Sequence, residues 1–506
     1  MAQDNRVSDF DEDSAHLRAL GYETHFRREM SLSANFSLGF TYLSPVAGVY
    51  TLFAFALATA GPPMIWSIVV VGIGQFLVAL VFGEVVSQFP LAGGAYQWSR
   101  RLWGKRFGWM TGWVYMMALM ATSSGVAYGA GPYLGAFLNV APSTKVVVLG
   151  ALAIILVAFL INAGGTRLLS GMAIFGFLAE FIGALAVGTW LIVMQRHQGV
   201  SIVFDPSGAG AGRPYIVAFL AASLIGIFQF IGFEACGNVA EEVARPGTQI
   251  PKAMRYTIYV GGAAATFACL SLILAVPDIS AVVTGQNTDP VGSIFATAFG
   301  SIMAGVVYLV VLISFVSCCT SLQAAASRLI FSYARDNMLI GSSVLARFSR
   351  RRHVPLYALL VSALIPAAIV SGSLFSTNAL TKIISFAGVG IYISFQMVVL
   401  AALRARIYGW VPSGPFSMGR WGTAVNVLAL LYGVVAIINM SWPISGNGPW
   451  YGNYLIPLSE ISVIGAGLIY MAVTHRYDCG SAPAGDALGL SRLEKRFRPM
   501  VDNRFL

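Results

Sequence analysis

Two acidic residues lie within stretches that are otherwise apolar. Glu180 occurs in the sequence Phe-Leu-Ala-Glu-Phe at 177–181, and Glu234 occurs in the glycine-rich segment 226–237. An ionisable group inside a long apolar stretch is costly, and it therefore points to function. Glu234 could bind the ammonium group of a ligand or carry a proton, and Glu180 could carry a proton. The alternatives are a structural acid that accepts backbone N–H groups, for Glu234, and a hydrogen bond between packed helices, for Glu180.

Two segments carry residues that interrupt helices. Segment 40–50 contains Pro45 and Gly48, and segment 226–237 contains three glycines beside Glu234. Proline lacks an N–H group and clashes with the preceding turn, and glycine adds backbone freedom. Non-helical backbone inside a bilayer survives only around a cavity or buried in protein, so both segments predict a break at a binding site. A proline kink and a glycine packing groove are the structural alternatives.

The composition of the chain indicates the class of protein in which these residues occur. Of the 506 residues, 57% are hydrophobic and only 10% are charged, and the mean hydropathy is +0.74. A soluble domain typically carries about 25% charged residues. A soluble enzyme, a disordered chain and a nucleic-acid-binding module are therefore disfavoured. The five cysteines lie mostly in apolar runs, and no Cys/His cluster has metal spacing, so we expect no disulfide framework, metal or cofactor.

About twelve stretches reach the roughly 20 apolar residues that a bilayer-spanning helix requires. The tails 1–30 and 476–506 flank them, and we expect the N-terminal tail to be solvated and disordered. We number the stretches span 1 to span 12. They lie near 32–60, 64–88, 107–138, 145–163, 170–194, 214–240, 254–276, 299–333, 354–371, 381–402, 422–440 and 454–474.

Lysine and arginine are distributed unevenly between the predicted loops. If the N-terminus lies in the cytoplasm, the inner loops hold most of these residues, and the outer loops hold Lys145, Arg196 and Arg213. Cytoplasmic loops carry the excess of positive charge in membrane proteins. Because the number of spans is even, both termini are predicted to be cytoplasmic. The net charge of +10 is then explained by contact with anionic lipid rather than with nucleic acid.

The two predicted breaks fall in spans 1 and 6, five spans apart. Corresponding breaks in two halves of a chain indicate a transporter built from inverted repeats around a central site. Short amphipathic pieces at 92–103 and 289–299, on opposite sides of the membrane, fit the same symmetry. We therefore predict a first repeat over 31–195, a second over 212–403, and two further spans over 420–475.

Three motifs, in this order, resemble signatures of the amino acid–polyamine–organocation permeases. Segment 82–98 resembles their second-helix signature, segment 230–251 their sixth-helix signature, and segment 327–338 the end of their eighth helix. Segments 21–29 and 108–113 are most similar to the amino acid/choline (GABA permease-like) subgroup. The resemblance implies an all-α membrane protein with a leucine-transporter-like fold of five plus five inverted helices and two more. It also implies that the substrate binds beside the breaks in helices 1 and 6.

The resemblance places a substrate site at the two breaks. Phe228 stands where the family has an aromatic gate, and aromatic side chains attract amines through cation–π contact, although apolar packing is their commoner role. Many members have Gly-(Ser/Ala)-Gly where this chain has Val46-Ala47-Gly48. This departure disfavours capture of an α-carboxylate, and it favours an ω-amino acid or an amine without a carboxylate. The expected substrate-binding residues are Tyr42, Ser44, Val46, Ala47, Gly48, Phe228, Ile231, Gly232, Phe233 and Glu234.

The resemblance also places Glu180 beside the region that holds sodium in sodium-coupled relatives. Ser317, Thr320 and Ser321 of helix 8 face the same region by resemblance. Their hydroxyls could serve a cation, or they could simply bond carbonyls of their own helix. Together with Glu234 these residues form the expected ion-coupling set, and the acids favour protons over sodium.

Several charged residues lie at the predicted cytoplasmic helix ends. Opposite charges at such ends can latch and release an inner gate. Static ion pairing at the membrane surface is the alternative. Glu460, near an outer helix end, is expected to be a snorkelling or solvated residue. The predicted gate residues are Glu84, Arg100, Glu241, Glu242 and Arg335.

These observations predict a secondary transporter of the plasma membrane that imports a small amine-bearing solute by alternating access. The expected substrate is an amino acid, including GABA or another ω-amino acid, with a proton (or Na⁺) as the coupling ion. A choline, ethanolamine or polyamine permease and an amino acid exchanger are alternatives, and a membrane-embedded sensor or channel is an alternative of a different class. No phosphate-binding Gly-x-x-x-x-Gly-Lys-Ser/Thr motif occurs, so an ion gradient or exchange must drive transport. No nucleophile–base set or metal cluster is apparent in the spans, so an enzyme is not expected.

Overall fold

The computed structural model describes residues 13–489 except 24, 142, 211, 213, 300, 350, 376–378, 443–449 and 481. The outer parts of both predicted tails, 1–12 and 490–506, lie outside the described residues. The described part is helical throughout, with two isolated β-bridges, Met30 with Val243 and Ser349 with Val354. These observations confirm the predicted all-α architecture.

The helices follow the predicted spans closely. The first half consists of Leu32–Leu43 and Pro45–Ala60 (span 1), Ile65–Gln88 (span 2), Ala95–Trp103, Lys105–Gly129 (span 3), Gly131–Phe137, Thr144–Ala163 (span 4) and Thr166–Met194 (span 5). The second half consists of Tyr215–Ala222, Leu224–Gln229 and Ala235–Asn238 (span 6), Pro246–Ala275 (span 7), Ile279–Val283, Pro290–Ala298, Ser301–Arg335 (span 8), Ser342–Leu345, Leu356–Gly372 (span 9), Ala379–Ile407 (span 10), Gly422–Ser441 (span 11), Trp450–Asn453 and Leu455–Thr474 (span 12). Short 3₁₀ turns occur at Pro62–Met64, Val200–Phe204, Ala240–Glu242, Ser373–Phe375, Gly419–Trp421 and Arg476–Asp478.

Within the described residues, ten helices are long and apolar enough to cross a membrane. They correspond to ten of the twelve predicted spans. The other two are span 3 and span 6. The helix Lys105–Gly129 of span 3 is long enough but is less apolar than the ten, because it is rich in glycine, serine, threonine and tyrosine. Span 6 is divided into short helices. The protein is therefore an integral, multi-pass membrane protein.

Spans 11 and 12 lie at the periphery of the helix bundle. They expose large apolar side chains, such as Leu431, Val435, Ile461 and Leu468. An exposed surface of this kind suits contact with lipid. Span 1 packs against spans 5, 7 and 8, and span 6 packs against spans 1 and 2, so both interrupted spans lie inside the bundle.

The described part of the N-terminal tail is packed against the bundle, so the expectation of a solvated, disordered segment is wrong for residues 13–23 and 25–30. Leu17, Leu20, Tyr22 and Phe26 are buried. Phe26 lies edge-on to the ring of Phe331 with centroids 5.5 Å apart. Leucine and aromatic side chains that recur every two to four residues over 17–26 are the sequence signal of this apolar face.

Candidate functional site

Span 1 is interrupted at Ser44. The helix Leu32–Leu43 ends there because Ser44 adopts a left-handed conformation, with φ 43° and ψ 87°. Pro45 then begins the second helix, a position that proline favours because its missing N–H would have no helical partner. The Ser44 hydroxyl accepts the N–H of Ala47 at 3.2 Å and so caps the second helix. The sequence prediction of a break near Pro45 agrees with this geometry.

Glu180 of span 5 reaches the start of that second helix. Its Oε1 accepts the Ser44 hydroxyl at 2.7 Å and the Val46 N–H at 2.9 Å. The side chain is fully buried, and its Oε2 has no hydrogen-bond partner among the described residues. A carboxylate at this position is stabilised by the free N–H groups and the positive end of the helix.

Span 6 is interrupted at Gly232. Gly232 has φ +131°, and a Cβ atom there would lie 2.5 Å from the backbone nitrogen of Leu43. Only glycine tolerates both the conformation and the close approach. The Nε2 of Gln229 donates to the Leu43 carbonyl at 3.3 Å. The two breaks are therefore in direct contact.

Glu234 follows the break in span 6 and accepts hydrogen bonds from span 6 itself and from span 3. Its Oε2 accepts the N–H of Gly232 at 2.8 Å, and its Oε1 accepts the hydroxyl of Tyr115, from span 3, at 3.3 Å. The Nδ2 of Asn238 donates to the same hydroxyl at 2.8 Å. Glu234 thus tethers the unwound turn of span 6 to span 3.

A narrow cavity lies beside the two breaks, and about one water molecule would fill its centre. The protein is therefore closed around this space, and a larger ligand requires the surrounding spans to move apart. The lining residues are Tyr42, Leu43, Ser44, Ala47, Gly48, Thr51, Thr122, Gly125, Val126, Phe228, Ile231, Phe315 and Cys318.

The predicted substrate-binding set divides into two groups. Six members line the cavity: Tyr42, Ser44, Ala47, Gly48, Phe228 and Ile231. The other four, Val46, Gly232, Phe233 and Glu234, are buried around it but are not among the lining residues. Phe233 instead packs against Phe82 and Phe395, with ring centroids 5.7 and 5.5 Å apart.

Sequence reasoning missed the lining residues from spans 3 and 8. Thr122, Phe315 and Cys318 lie in helices with no proline or carboxylate near these positions to mark them. The Sγ of Cys318 donates to the carbonyl of Tyr42 at 3.1 Å, next to the break in span 1. Packing against the interrupted helix, rather than a local motif, brings these residues to the cavity.

The predicted hydroxyl residues of span 8 have different partners. Thr320 donates to the carbonyl of Val316 at 2.7 Å, within its own helix. The hydroxyl of Ser321 lies 2.9 Å from that of Thr41 in span 1. The buried Ser317 hydroxyl has no hydrogen-bond partner among the described residues. Of the three hydroxyls, only that of Ser321 joins span 8 to span 1.

Charged residues form a buried cluster at the end of the bundle that carries the tails. Arg335 donates two hydrogen bonds to Glu241, each 2.9 Å long. Arg328 donates to Glu242 at 2.7 Å and 3.3 Å. We call these two ion pairs, together with Asp336, the tail-side latch. The latch joins the segment after span 6 to the end of span 8.

Asp336 accepts hydrogen bonds from the helix Ala95–Trp103 and from the N-terminal tail. It accepts the hydroxyls of Tyr96 at 2.7 Å and of Tyr22 at 3.1 Å, and the Nε2 of Gln97 at 2.9 Å. Burial, with a smaller contribution from the negative charge of Asp336, raises the pKa of the Tyr22 hydroxyl well above its ordinary value. Tyr22 therefore remains a proton donor at neutral pH.

The five predicted gate residues are not all in one cluster. Glu241, Glu242 and Arg335 belong to the tail-side latch. Arg100 lies beside it, bonded to the carbonyls of Ala482 and Pro483 at 2.7 and 3.1 Å. Glu84 pairs with Arg406 and accepts the N–H of Met418 at 2.6 Å, so it joins span 2 to the segments around spans 10 and 11. Sequence reasoning did not identify Arg328 or Asp336.

Comparison with known proteins identifies the family. The amino acid permease family profile matches residues 34–468, which is most of the chain. The chain belongs to the amino acid permease family. This permease is 27% identical over 458 residues to an amino-acid permease BAT1 homolog of Oryza sativa, covering 85% of this chain and 88% of the relative. It is 24% identical over 456 residues to a choline transporter of Saccharomyces cerevisiae, covering 86% of this chain and 79% of the relative.

The permease also shares its fold with a solved structure. A manganese transporter of Eremococcus coleocola aligns with a TM-score of 0.56 at 13% identity, covering 88% of this chain and 94% of the other. At this identity the likeness establishes the fold alone. It confirms the predicted leucine-transporter-like, all-α architecture. The family and the relatives are permeases, so the protein is a membrane transporter rather than an enzyme.

Proposed function

We propose that this permease imports a small amine-bearing solute by alternating access around the cavity at the two helix breaks. The closed cavity between span 1 and span 6 is the observation that carries this proposal. Discontinuous helices at mid-membrane are where such transporters bind substrate. Amino acids, GABA and other ω-amino acids, and choline-like cations are the candidate substrates.

The interrupted helix supplies one side of the binding site. The helix Leu32–Leu43 ends at the cavity, and the C-terminal end of a helix carries partial negative charge from its free carbonyls. A substrate ammonium is therefore attracted to this end. Phe228 and Tyr42 add aromatic faces that favour the same cation. Phe228 is our candidate for the aromatic gate.

Glu180 is the proposed carrier of the coupling proton. It is a buried carboxylate whose one oxygen holds the break in span 1 and whose other oxygen has no described partner. Protonation weakens its acceptance of the Ser44 and Val46 donors, because a neutral carboxyl group is a weaker acceptor than a carboxylate. A proton on Glu180 would thus loosen span 5 from span 1, which links protonation to movement of the bundle.

Glu234 is the second proposed coupling residue. It joins Gly232 to Tyr115, and therefore joins the moving break of span 6 to span 3. A change in its charge would alter that connection. The hydroxyls of Ser317, Thr320 and Ser321 remain candidates for a Na⁺ site in the same region.

We further propose that both tails and the tail-side latch face the cytoplasm and that the protein resides in the plasma membrane. The arginine-rich segments support this orientation, since cytoplasmic loops carry the positive excess. Opening of the latch would then release substrate to the cytoplasm.

Uptake into vesicles that contain the purified full chain tests the proposal. A panel of radiolabelled amino acids, GABA, choline and ethanolamine is offered with a pH gradient or a sodium gradient imposed separately. We expect one class to accumulate under an inwardly directed proton gradient and to lose that accumulation when a protonophore is added. Uptake that occurs only into vesicles preloaded with an amine would instead identify an exchanger. No uptake of any compound under either gradient would contradict the proposal.

A further inference from the structure

The chain places one of its own carboxylates where a substrate carboxylate would bind. The free N–H groups at the start of the helix Pro45–Ala60 are a natural anion site, because the donors point outward and the helix end is positive. Two donors of this site, the Val46 N–H and the Ser44 hydroxyl, are bonded to Glu180 at 2.9 and 2.7 Å. Ala47 donates to Ser44 in turn. The anion site of span 1 is therefore filled from within the protein.

A substrate carboxylate would meet repulsion at this end of the cavity. To use the Val46 N–H it would have to displace Glu180, whose charge would then be buried without its partners. To bind beside Glu180 it would place two like charges close together in a poorly solvated space. Both situations are unfavourable, because buried charges require partners and like charges disfavour each other's ionised form.

The cavity offers no positively charged side chain to pair with a carboxylate. None of the described residues that line it is lysine, arginine or histidine. Its walls include the rings of Tyr42, Phe228 and Phe315. Such faces attract ammonium groups, and alkylated ammonium groups in particular. The lining therefore suits an organic cation.

One buried polar atom at the break in span 1 also lacks a hydrogen-bond partner within the described part of the chain. It is the Oε2 of Glu180, whose other oxygen accepts the Ser44 hydroxyl and the Val46 N–H. Buried polar atoms are normally satisfied, so this acceptor has capacity for a hydrogen-bond donor. An ammonium or hydroxyl group supplies such a donor, whereas a carboxylate does not.

We propose that this permease selects small organic cations that carry no carboxylate, with Glu180 serving as a built-in substitute for the substrate carboxylate. The inference rests on the proposed function and names its substrate class. It assigns to Glu180 a specificity-determining role in addition to the proposed coupling role.

Matched substrate pairs test the inference directly. Ethanolamine and glycine, choline and glycine betaine, and 4-amino-1-butanol and GABA differ by a hydroxymethyl group in place of a carboxylate. Each compound is measured for uptake and for competition in vesicles containing the full chain. We expect the alcohol of a transported pair to have a half-saturating concentration lower by roughly tenfold or more, which corresponds to about 1.4 kcal/mol.

The outcomes separate the two proposals. If a carboxylate-bearing partner is transported as well as or better than its alcohol, the inference is overturned while the proposed function stands. If no member of any pair is transported or competes, and no amino acid is transported either, both are overturned.

Two variants locate the selectivity at Glu180. Glu180→Ala frees the donors of Ser44 and Val46, so the carboxylate-bearing partner should gain affinity relative to the alcohol. Glu180→Gln removes the charge but keeps a hydrogen-bond acceptor. It should therefore reduce the ratio of the half-saturating concentrations of the carboxylate-bearing compound and the alcohol by less than Glu180→Ala does. Stabilisation of the purified variants by each ligand against thermal unfolding gives a readout that does not depend on proton coupling.

Glu460→Gln is the control variant. It removes another buried intramembrane carboxylate, outside the cavity lining, and should leave the ratio of half-saturating concentrations unchanged. An unchanged ratio in both folded Glu180 variants would overturn the assignment.

Discussion

Glu180 links span 5 to the break in span 1 through the Ser44 hydroxyl and the Val46 N–H. A carboxylate in an apolar span is conspicuous, so the sequence predicted its importance. Its partners could not be predicted, because they lie 134 and 136 residues away along the chain and depend on the packing of span 5 against span 1. Glu460 was misjudged for the same reason. It is buried against span 10 near Gly390 rather than solvated.

Replacing Glu180 by glutamine should uncouple transport from the proton gradient. The amide keeps the size of the side chain and an acceptor for the Val46 N–H, but it cannot carry the proton. We expect gradient-driven accumulation to fall to the equilibrium level, whereas exchange of labelled for unlabelled substrate continues. For one proton per substrate and a gradient of one pH unit, the lost accumulation is about tenfold. Accumulation equal to that of the wild type would contradict the coupling role of Glu180.

Glu242→Gln tests a single ion pair of the tail-side latch. The substitution leaves Arg328 buried with an uncompensated charge, and removal of one partner from a buried pair costs about 3–5 kcal/mol. We expect a corresponding decrease in the free energy of unfolding, measured by denaturation in detergent. Glu29→Gln is the control, because the pair that Glu29 forms with Arg27 is exposed and contributes about 0–1 kcal/mol. Equal decreases in the free energy of unfolding of the two variants would show that the buried pair contributes no more to stability than the exposed pair.

At the scale of the helix, the breaks were predictable and their mutual contact was not. Pro45 and the glycines of segment 226–237 marked both interruptions through their backbone properties. The sequence could not show that Gly232 lies against Leu43, since that contact requires the two halves of the chain to be packed together. The lining positions of spans 3 and 8 were hidden because uninterrupted apolar helices carry no local signal of what they face.

Gly232→Ala should disrupt the contact between the two breaks. An alanine there adopts an unfavourable positive φ, at a cost of about 1–3 kcal/mol, and its Cβ collides with the backbone of Leu43. We expect loss of uptake and a lower unfolding temperature. Gly171→Ala, in the second turn of the helix Thr166–Met194 and with no atom within 4 Å of the added Cβ, should instead stabilise the protein by about 0.5–1 kcal/mol and keep uptake. Full uptake by Gly232→Ala would show that the tight contact is dispensable.

At the scale of the whole molecule, the tails close one end of the bundle. Arg100 is bonded to the carbonyls of Ala482 and Pro483, and Arg101 is paired with Asp486 and bonded to the carbonyl of Leu20. The sequence indicated polar tails, but it could not show that Arg100 and Arg101, which are buried, bind them. Their function as a cytoplasmic seal follows from the proposed orientation.

Truncation after Gly480 should weaken this closed end. It deprives Arg100 and Arg101 of partners, and each hydrogen bond to a charged group contributes about 1.5–3 kcal/mol. We expect a lower unfolding temperature and faster alkylation of Cys318, in the cavity, by a reagent applied from the tail side. Truncation after Gly489 keeps the described contacts and is the control. If both truncations behave like the full chain, the tail does not seal the bundle.

Protection of Cys318 from alkylation tests the central claim most directly, namely that the cavity at the two breaks is the substrate site. Cys318 lines that cavity, and it can be left as the only cysteine by replacing Cys236, Cys269, Cys319 and Cys479 with serine. A matched variant retains only Cys269, which is buried in span 7 outside the cavity lining. We predict that a transported amine slows alkylation of Cys318, with half-maximal protection at its half-saturating concentration for uptake, and leaves alkylation of Cys269 unchanged. An alkylation rate of Cys318 that is indifferent to saturating substrate, in a variant that still transports it, would contradict the claim.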